Sequence, residues 1–151
     1  MALAKKTSQR SGASVGSRQV VIEDFYVTSS NVDFSVVQPK YSIIESVHVF
    51  YDGLTTLSDG GSGTDGDADL TIGTNSDFSG TEVLTSIPIA DYDTDPSLED
   101  GKVVDCAANI AAGVKDNAVT ESRVLYGRIA CGDATATGTN RLQIHIGFRH
   151  F

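Results

Sequence analysis

The clearest hydrophobic pattern in the chain lies at its end. From Arg141 to Arg149, the apolar residues Leu142, Ile144, Ile146 and Phe148 alternate with Arg141, Gln143, His145, Gly147 and Arg149. A period of two sends one set to each face of a β-strand, one face into a core and the other into water. On a helix the same apolar residues would scatter around the axis. Residues 42–52 repeat the pattern less cleanly. Ile43, Val47, Val49 and Tyr51 share one phase, Ser42, Ser46 and His48 take the other, and Ile44 and Phe50 break it. Asp52-Gly53 then closes the run with a turn signal. Residues 20–27 are β-branched and aromatic, which suits a strand. Further strands are expected at 32–37, 69–73, 82–89 and 123–131. Pro88 puts the end of 82–89 at a strand terminus or a sheet edge, because proline cannot donate to a ladder. The segment 103–114 carries two patterns. Val103, Ala107, Ile110 and Val114 recur at helical spacing with Asp100 or Asp105 available as a cap, while Val103-Val104-Asp105-Cys106 reads equally as a strand. A strand or a short turn of helix is expected there.

Seven to nine short strands joined by loops rich in Gly, Asp and Thr, with no internal repeat, predict an all-β antiparallel sandwich. The strand count fits an eight-stranded jelly roll best. Two long loops, 53–68 and 90–102, interrupt the rhythm. The sandwich is expected over residues 20–151, a length sufficient for one domain with a real core. Residues 1–19 are rich in Ser, Gly, Ala and Lys and are expected to form a flexible arm.

Charge sharpens this division. The arm holds Lys5, Lys6, Arg10 and Arg18 and no acid, a net of +4; the whole chain carries -9, so the remainder carries -13. Such an acidic body repels phosphate, and no specific nucleic-acid binding is expected of it. The basic arm reads either as a solvated tail or as a segment that docks on a partner or a neighbouring subunit through Lys5, Lys6, Arg10 and Arg18. No apolar run is long enough to span a membrane, and the start lacks the apolar stretch of a secretory signal. With Met1 in place, the chain reads as a product of a cytoplasm. The two cysteines, Cys106 and Cys131, have no zinc or redox spacing. They read as small buried hydrophobes or as one disulfide.

Candidate chemistry is sparse. The histidines are His48, His145 and His150; the first two sit mid-strand on the expected wet face. The chain contains no nucleophile elbow, metalloprotease helix, P-loop or dinucleotide fingerprint. No catalytic residue and no cofactor are expected. The loop Ser58–Asp69 is the richest in oxygen ligands. Asp65, Asp67 and Asp69 alternate in it, an arrangement suited to calcium. It fails as an EF-hand, because Leu70 and Ser76 stand where Gly and Glu belong. Gly60-Gly-Ser-Gly-Thr-Asp65 begins a calcium-binding nonapeptide, but Asp67 occupies its apolar position and the unit occurs once. The competing reading is a solvated loop whose Gly and Asp residues make turns. The loop Asp91–Asp100 has the same two readings. Its Tyr92 among acids also suggests a sugar site, a reading weakened by the absence of Trp.

The order of these features resembles a known group. Val47-His-Val-Phe-Tyr51-Asp-Gly is followed by an acidic Gly-rich loop, then Asp69-Leu-Thr-Ile-Gly-Thr74 with Asp77 after it. Val124-Leu-Tyr-Gly-Arg-Ile129 comes next, and Thr135-Ala-Thr-Gly-Thr139 leads into the final strand. Over residues 36–151 this resembles the head decoration, or cement, proteins of tailed bacteriophages and related small jelly-roll virion proteins. The resemblance implies a non-enzymatic structural protein located in the virion, on the capsid surface. It implies a homotrimer that clamps the major capsid protein lattice, with an arm reaching a neighbour. Residues 1–19 would reach about 60 Å if extended. Another virion part (head fibre base, minor capsid or tail protein) and a carbohydrate-binding sandwich are the alternatives.

Overall fold

The computed structural model describes residues 2–8, 17–27, 31–51, 57–58, 68–90, 103–130, 135–136 and 140–151. In chain order the strands are β1 (Ala2–Ser8), β2 (Arg18–Val27), β3 (Val32–Gln38), β4 (Ser42–Tyr51), β5 (Leu57–Ser58), β6 (Ala68–Gly73), β7 (Leu84–Ala90), β8 (Val103–Asp105), β9 (Arg123–Ala130), β10 (Thr135–Ala136) and β11 (Asn140–His150). Between β8 and β9 lie a 3-10 turn (Ala107–Asn109) and a short helix α1 (Ala112–Asp116). The segment with two patterns thus resolves into both. Val103–Asp105 pairs with β4, and the helical spacing behind it yields only single turns.

The strands form two antiparallel sheets, one of order β1-β2-β11-β4-β8 and one of order β3-β9-β6-β7, with β5 and β10 as a separate two-stranded ladder. Setting aside β1, β5 and β10 leaves eight strands, in sheet orders first-eighth-third-sixth and second-seventh-fourth-fifth. That is the double Greek key of a jelly roll, as the strand rhythm predicted. β11, the strand with the cleanest alternation, sits in the middle of the larger sheet, hydrogen-bonded to β2 on one side and β4 on the other.

The core lies between the sheets. Leu142, Ile144, Ile146 and Phe148 of β11 are fully buried, as are Val47 and Val49 of β4; Val32, Phe34, Val36, Leu70, Ile72, Leu125 and Ile129 meet them from the other sheet. Each such side chain, removed from water, contributes about 1.5–3 kcal/mol. Val83, Leu84, Cys106 and Ile110 close one end of the core. β3 shows the alternation in its simplest form, with Val32, Phe34, Val36 and Gln38 buried and the residues between them exposed.

β4 departs from the expected phase. Gly147 pairs with Ser46, but Phe148 pairs with Ile44, so Glu45 is an extra residue in the ladder. This bulge shifts the phase by one. Ile44 therefore joins Val47 and Val49 in the core, and Ile43, expected inside, is buried outside that cluster. The irregular apolar pattern of residues 42–52 is the sequence trace of the bulge.

At the N-terminus, β1 pairs antiparallel with β2 from Ala2 opposite Phe25 to Ser8 opposite Val20. β2 begins at Arg18, two residues before the boundary expected at Val20. The two ends of the sandwich differ in what they carry. The β3–β4 turn, the β6–β7 connection and the stretch between β8 and β9 lie at one end, here the near end. Tyr51, Ala68, Ala90 and Val103 lie at the opposite, far end.

Candidate interaction surface

The outer face of the larger sheet gathers the polar side chains that face away from the core. Cross-strand register aligns Lys6, Ile22, His145, His48 and Asp105, one residue from each of its five strands. Residues opposite one another in a ladder share a face, so the two histidines that the sequence put on wet faces are direct neighbours. His48 Nε2 lies 3.7 Å from Asp105 Oδ1, an ion-pair distance only when the imidazole is protonated. Asp105 Oδ1 also accepts the backbone N–H of Ala107 at 2.9 Å, which fixes the start of the 3-10 turn. The Phe50 ring packs against His145, with centroids 4.3 Å apart, and stands 6.2 Å from His48. His145 Nε2 is 3.1 Å from Gln143 Oε1, where an Nε2–H donates to the amide oxygen. Burial between these neighbours, and then the charge of His48, hold the His145 imidazole below its usual pKa.

A second cluster lies at the bulge of the same sheet. Arg18 Nε donates to Glu45 Oε2 at 2.7 Å and Arg18 Nη2 to Oε1 at 3.1 Å, a two-pronged grip. Arg149 approaches Glu45 Oε1 at 3.7 Å. The hydrogen bond from Arg18 is the largest cause holding the Glu45 carboxyl below its ordinary range; desolvation opposes it, and the charges of Arg18 and Arg149 reinforce it.

The outer face of the smaller sheet is laced differently. Arg128 of β9 grips Asp33 of β3 through Nε at 2.7 Å and Nη2 at 3.0 Å. The same guanidinium lies over the Phe78 ring, which meets Tyr126 edge to face at 5.5 Å. Val37 and Val124, opposite each other on the β3–β9 ladder, are 51% and 39% exposed.

The candidate residues named from sequence fall in several places. Lys5 and Lys6 stand in β1 opposite Glu23 and Ile22. Arg10 lies outside the described residues. Arg18 is in β2, with its guanidinium on Glu45. Asp69 is in β6, half-buried, paired with Ala130 and Pro88. Asp65 and Asp67 lie outside the described residues, as do the loop Asp91–Asp100 with Tyr92, and Cys131. Cys106 is a free, fully buried thiol, pushed up to about 12 by burial first and by Asp105 second. Among the described residues, no group of three or more His, Cys, Asp or Glu side chains is placed to hold a metal. No helix among them is long and apolar enough to cross a membrane.

One feature had no signal in the sequence. Tyr41, in the β3–β4 turn, has φ of 58° and is 52% exposed. Its carbonyl accepts the N–H of Phe151, also 52% exposed, at 2.8 Å. A left-handed tyrosine is rare enough that only the folded turn discloses it.

No protein-family model matches the chain, and no curated protein is similar to it in sequence. Solved structures do resemble it. A chain of the cyanophage Pam1 capsid asymmetric unit aligns with a TM-score of 0.55 at 14% identity, over 97% of this chain and 94% of that one. A chain of the capsid of Ralstonia phage GP4 aligns with a TM-score of 0.58 at 13% identity, over 95% and 91%. At these identities the likeness is one of fold, and it runs nearly end to end in both cases.

Proposed function

We propose that the protein is a non-enzymatic structural component of a bacteriophage virion, and that it acts as a decoration or cement subunit on the outer capsid surface. The observation that carries this reading is the jelly roll shared along nearly its whole length with chains from two phage capsid structures. The side chains agree with a role in contact. The two outer faces hold cross-strand rows, His48 with His145 and Asp33 with Arg128, that another protein surface could meet. The subunit binds the major capsid protein lattice as a homotrimer. Lys5 and Lys6 on the edge strand β1, together with Arg10, supply basic groups to a neighbour, and Arg18 at the start of β2 is held on Glu45. A strongly acidic body with a basic start binds in a salt-sensitive way.

The test uses capsids lacking the protein, mixed with the purified full chain. Saturable binding at a fixed number of sites, weakened when Lys5, Lys6 and Arg10 are replaced by Ala, supports the proposal. Sedimentation of the free protein as a trimer supports the oligomeric part. Absence of binding to capsids in both their compact and expanded forms sinks the proposal.

A further inference from the structure

The outer face of the larger sheet brings together two imidazoles that the core does not use. His48 and His145 stand directly opposite each other on the β4–β11 ladder, and Asp105 stands opposite His48 on β8. Residues paired in this way have Cβ atoms about 4.5–5.5 Å apart. Two nitrogens bound to one zinc ion, each at about 2.0–2.1 Å, stand roughly 3 Å from each other. Rotation of two opposed rings about their side-chain bonds spans that difference. Each ring turns its Nε2 toward an oxygen. His48 Nε2 is directed at Asp105 Oδ1, 3.7 Å away, and His145 Nε2 lies 3.1 Å from Gln143 Oε1. With the proton on Nε2, each Nδ1 carries a lone pair and has no hydrogen-bond partner among the described residues. A ligating histidine characteristically gives its other N–H to an oxygen acceptor, which fixes the tautomer and the ring orientation. The Phe50 ring, with its centroid 4.3 Å from that of His145, walls one side of the pair.

We propose that His48 and His145 form a two-histidine site on this outer face, binding one divalent ion of the zinc, copper and nickel class through their Nδ1 atoms. Asp105 and Gln143 act as positioning residues that hold the two rings. Imidazole nitrogens select this class over calcium and magnesium, hard cations that take oxygen ligands. The two rings supply two ligands, and the remaining coordination positions are open to water. That fits the described residues, among which no third His, Cys, Asp or Glu side chain is placed to complete a closed metal site. The surroundings favour a cation. The chain carries a net charge of -9. In the row Lys6, Ile22, His145, His48 and Asp105, the carboxylate stands next to His48, whereas Lys6 stands at the opposite end with Ile22 between it and His145. Arg18 and Arg149, further along the same face, are both turned to Glu45.

The full chain is titrated with zinc, copper or nickel chloride, each alone, and followed by calorimetry and by its melting midpoint. Wild type is expected to bind saturably at this site, copper most tightly, and to melt higher with each ion. An excess of calcium or magnesium should leave that binding unchanged, which separates the site from any built of carboxylates. His48→Gln and His145→Gln should each weaken binding, and the double variant should lose it. Asp105→Ala and Gln143→Ala should each weaken it by about tenfold, while Asp105→Asn and Gln143→Glu, which keep an acceptor oxygen, should recover most of the loss. A second measurement needs no variant. Substoichiometric Cu²⁺ should broaden the ring signals of His48 and His145 in an NMR spectrum of wild type. It should spare His150, whose Nε2 is buried and which stands roughly 17 Å along β11 from His145. Absence of saturable binding, a double variant that binds as tightly as wild type, or broadening that spares either His48 or His145 overturns the proposal. Full affinity in both alanine variants at 105 and 143 overturns the positioning roles.

Discussion

The ring of Phe34 lies directly on the backbone of Gly127, its partner across the β3–β9 ladder: a Cβ at Gly127 would fall 2.1 Å from Phe34 Cζ and 2.4 Å from Cε1. The absence of a side chain at 127 is what lets a phenylalanine lie flat in the core at that layer. Gly127→Ala is expected to destabilise the fold by about 1–3 kcal/mol through overpacking. Adding Phe34→Leu to Gly127→Ala should recover part of that loss, since the two changes act on one contact. Denaturant unfolding of the two single variants and the double variant checks this. A Gly127→Ala midpoint equal to wild type would refute the packing argument.

His145 gives a pH dependence of definite sign. Its folded pKa lies below the ordinary 6.5, through burial first and His48 second. The unfolded chain therefore binds more protons than the folded one as pH falls through the ordinary value. The contribution of this group is full above about 6.5, declines below it, and stops declining once pH is beneath the folded value. His145→Gln should flatten that part of the stability curve. An NMR titration should show the His145 ring protonating below the ordinary histidine range. A midpoint at or above 6.5 would contradict the burial described.

How much of this was legible beforehand depends on what each residue's neighbours had to supply. β11 could be read outright, because strict alternation over nine residues needs no outside information. Wet faces for His48 and His145 followed from the same alternation. That they face each other required register, which is set by which strands pair and not by any local pattern. The single residue of phase in β4 was visible as Ile44 breaking rank, but one unmatched residue does not say where a bulge falls; Glu45 is identified only by its place between the Ser46 and Ile44 pairings. β1 was missed because its Ala, Lys and Ser residues carry neither apolar period nor β-branched enrichment; its strand form comes from pairing with β2. The Tyr41–Phe151 corner joins residues 110 apart in sequence through one backbone hydrogen bond, which no periodicity encodes.

Glu45 should shape the acid limb of stability. Its carboxyl titrates below its ordinary 4.5, mainly because Arg18 hydrogen-bonds the charged form. The stabilisation is present above 4.5 and is lost as pH falls through the lower folded value. Glu45→Gln should therefore lower the melting midpoint at neutral pH. The gap to wild type should close under acid, and narrow in high salt, since the pair is open to solvent. Parallel melts of the two proteins across pH check this. A gap that stays constant into strong acid would mean that the side chain acts through packing at the bulge rather than through its charge.

Cys106 should be chemically silent in the native protein. It is fully buried in the core cluster, and its thiol is pushed from 9.0 up to about 12, by burial and then by Asp105. At a given pH such a thiol holds roughly a thousandth of the thiolate of an ordinary one, and the thiolate is the nucleophile. The Cys106 N–H donates to the Val47 carbonyl at 2.9 Å, which ties the residue to β4 and leaves little local opening by which a reagent could enter. In a Cys131→Ser background, native labelling by a thiol reagent near pH 8 should be at least about a hundredfold slower than labelling of the denatured chain. It should accelerate in step with global unfolding as denaturant is added. Fast labelling of Cys106 under native conditions would show that the stretch between β8 and β9 opens independently of the sandwich, and that the near end is not the closed layer its packing implies.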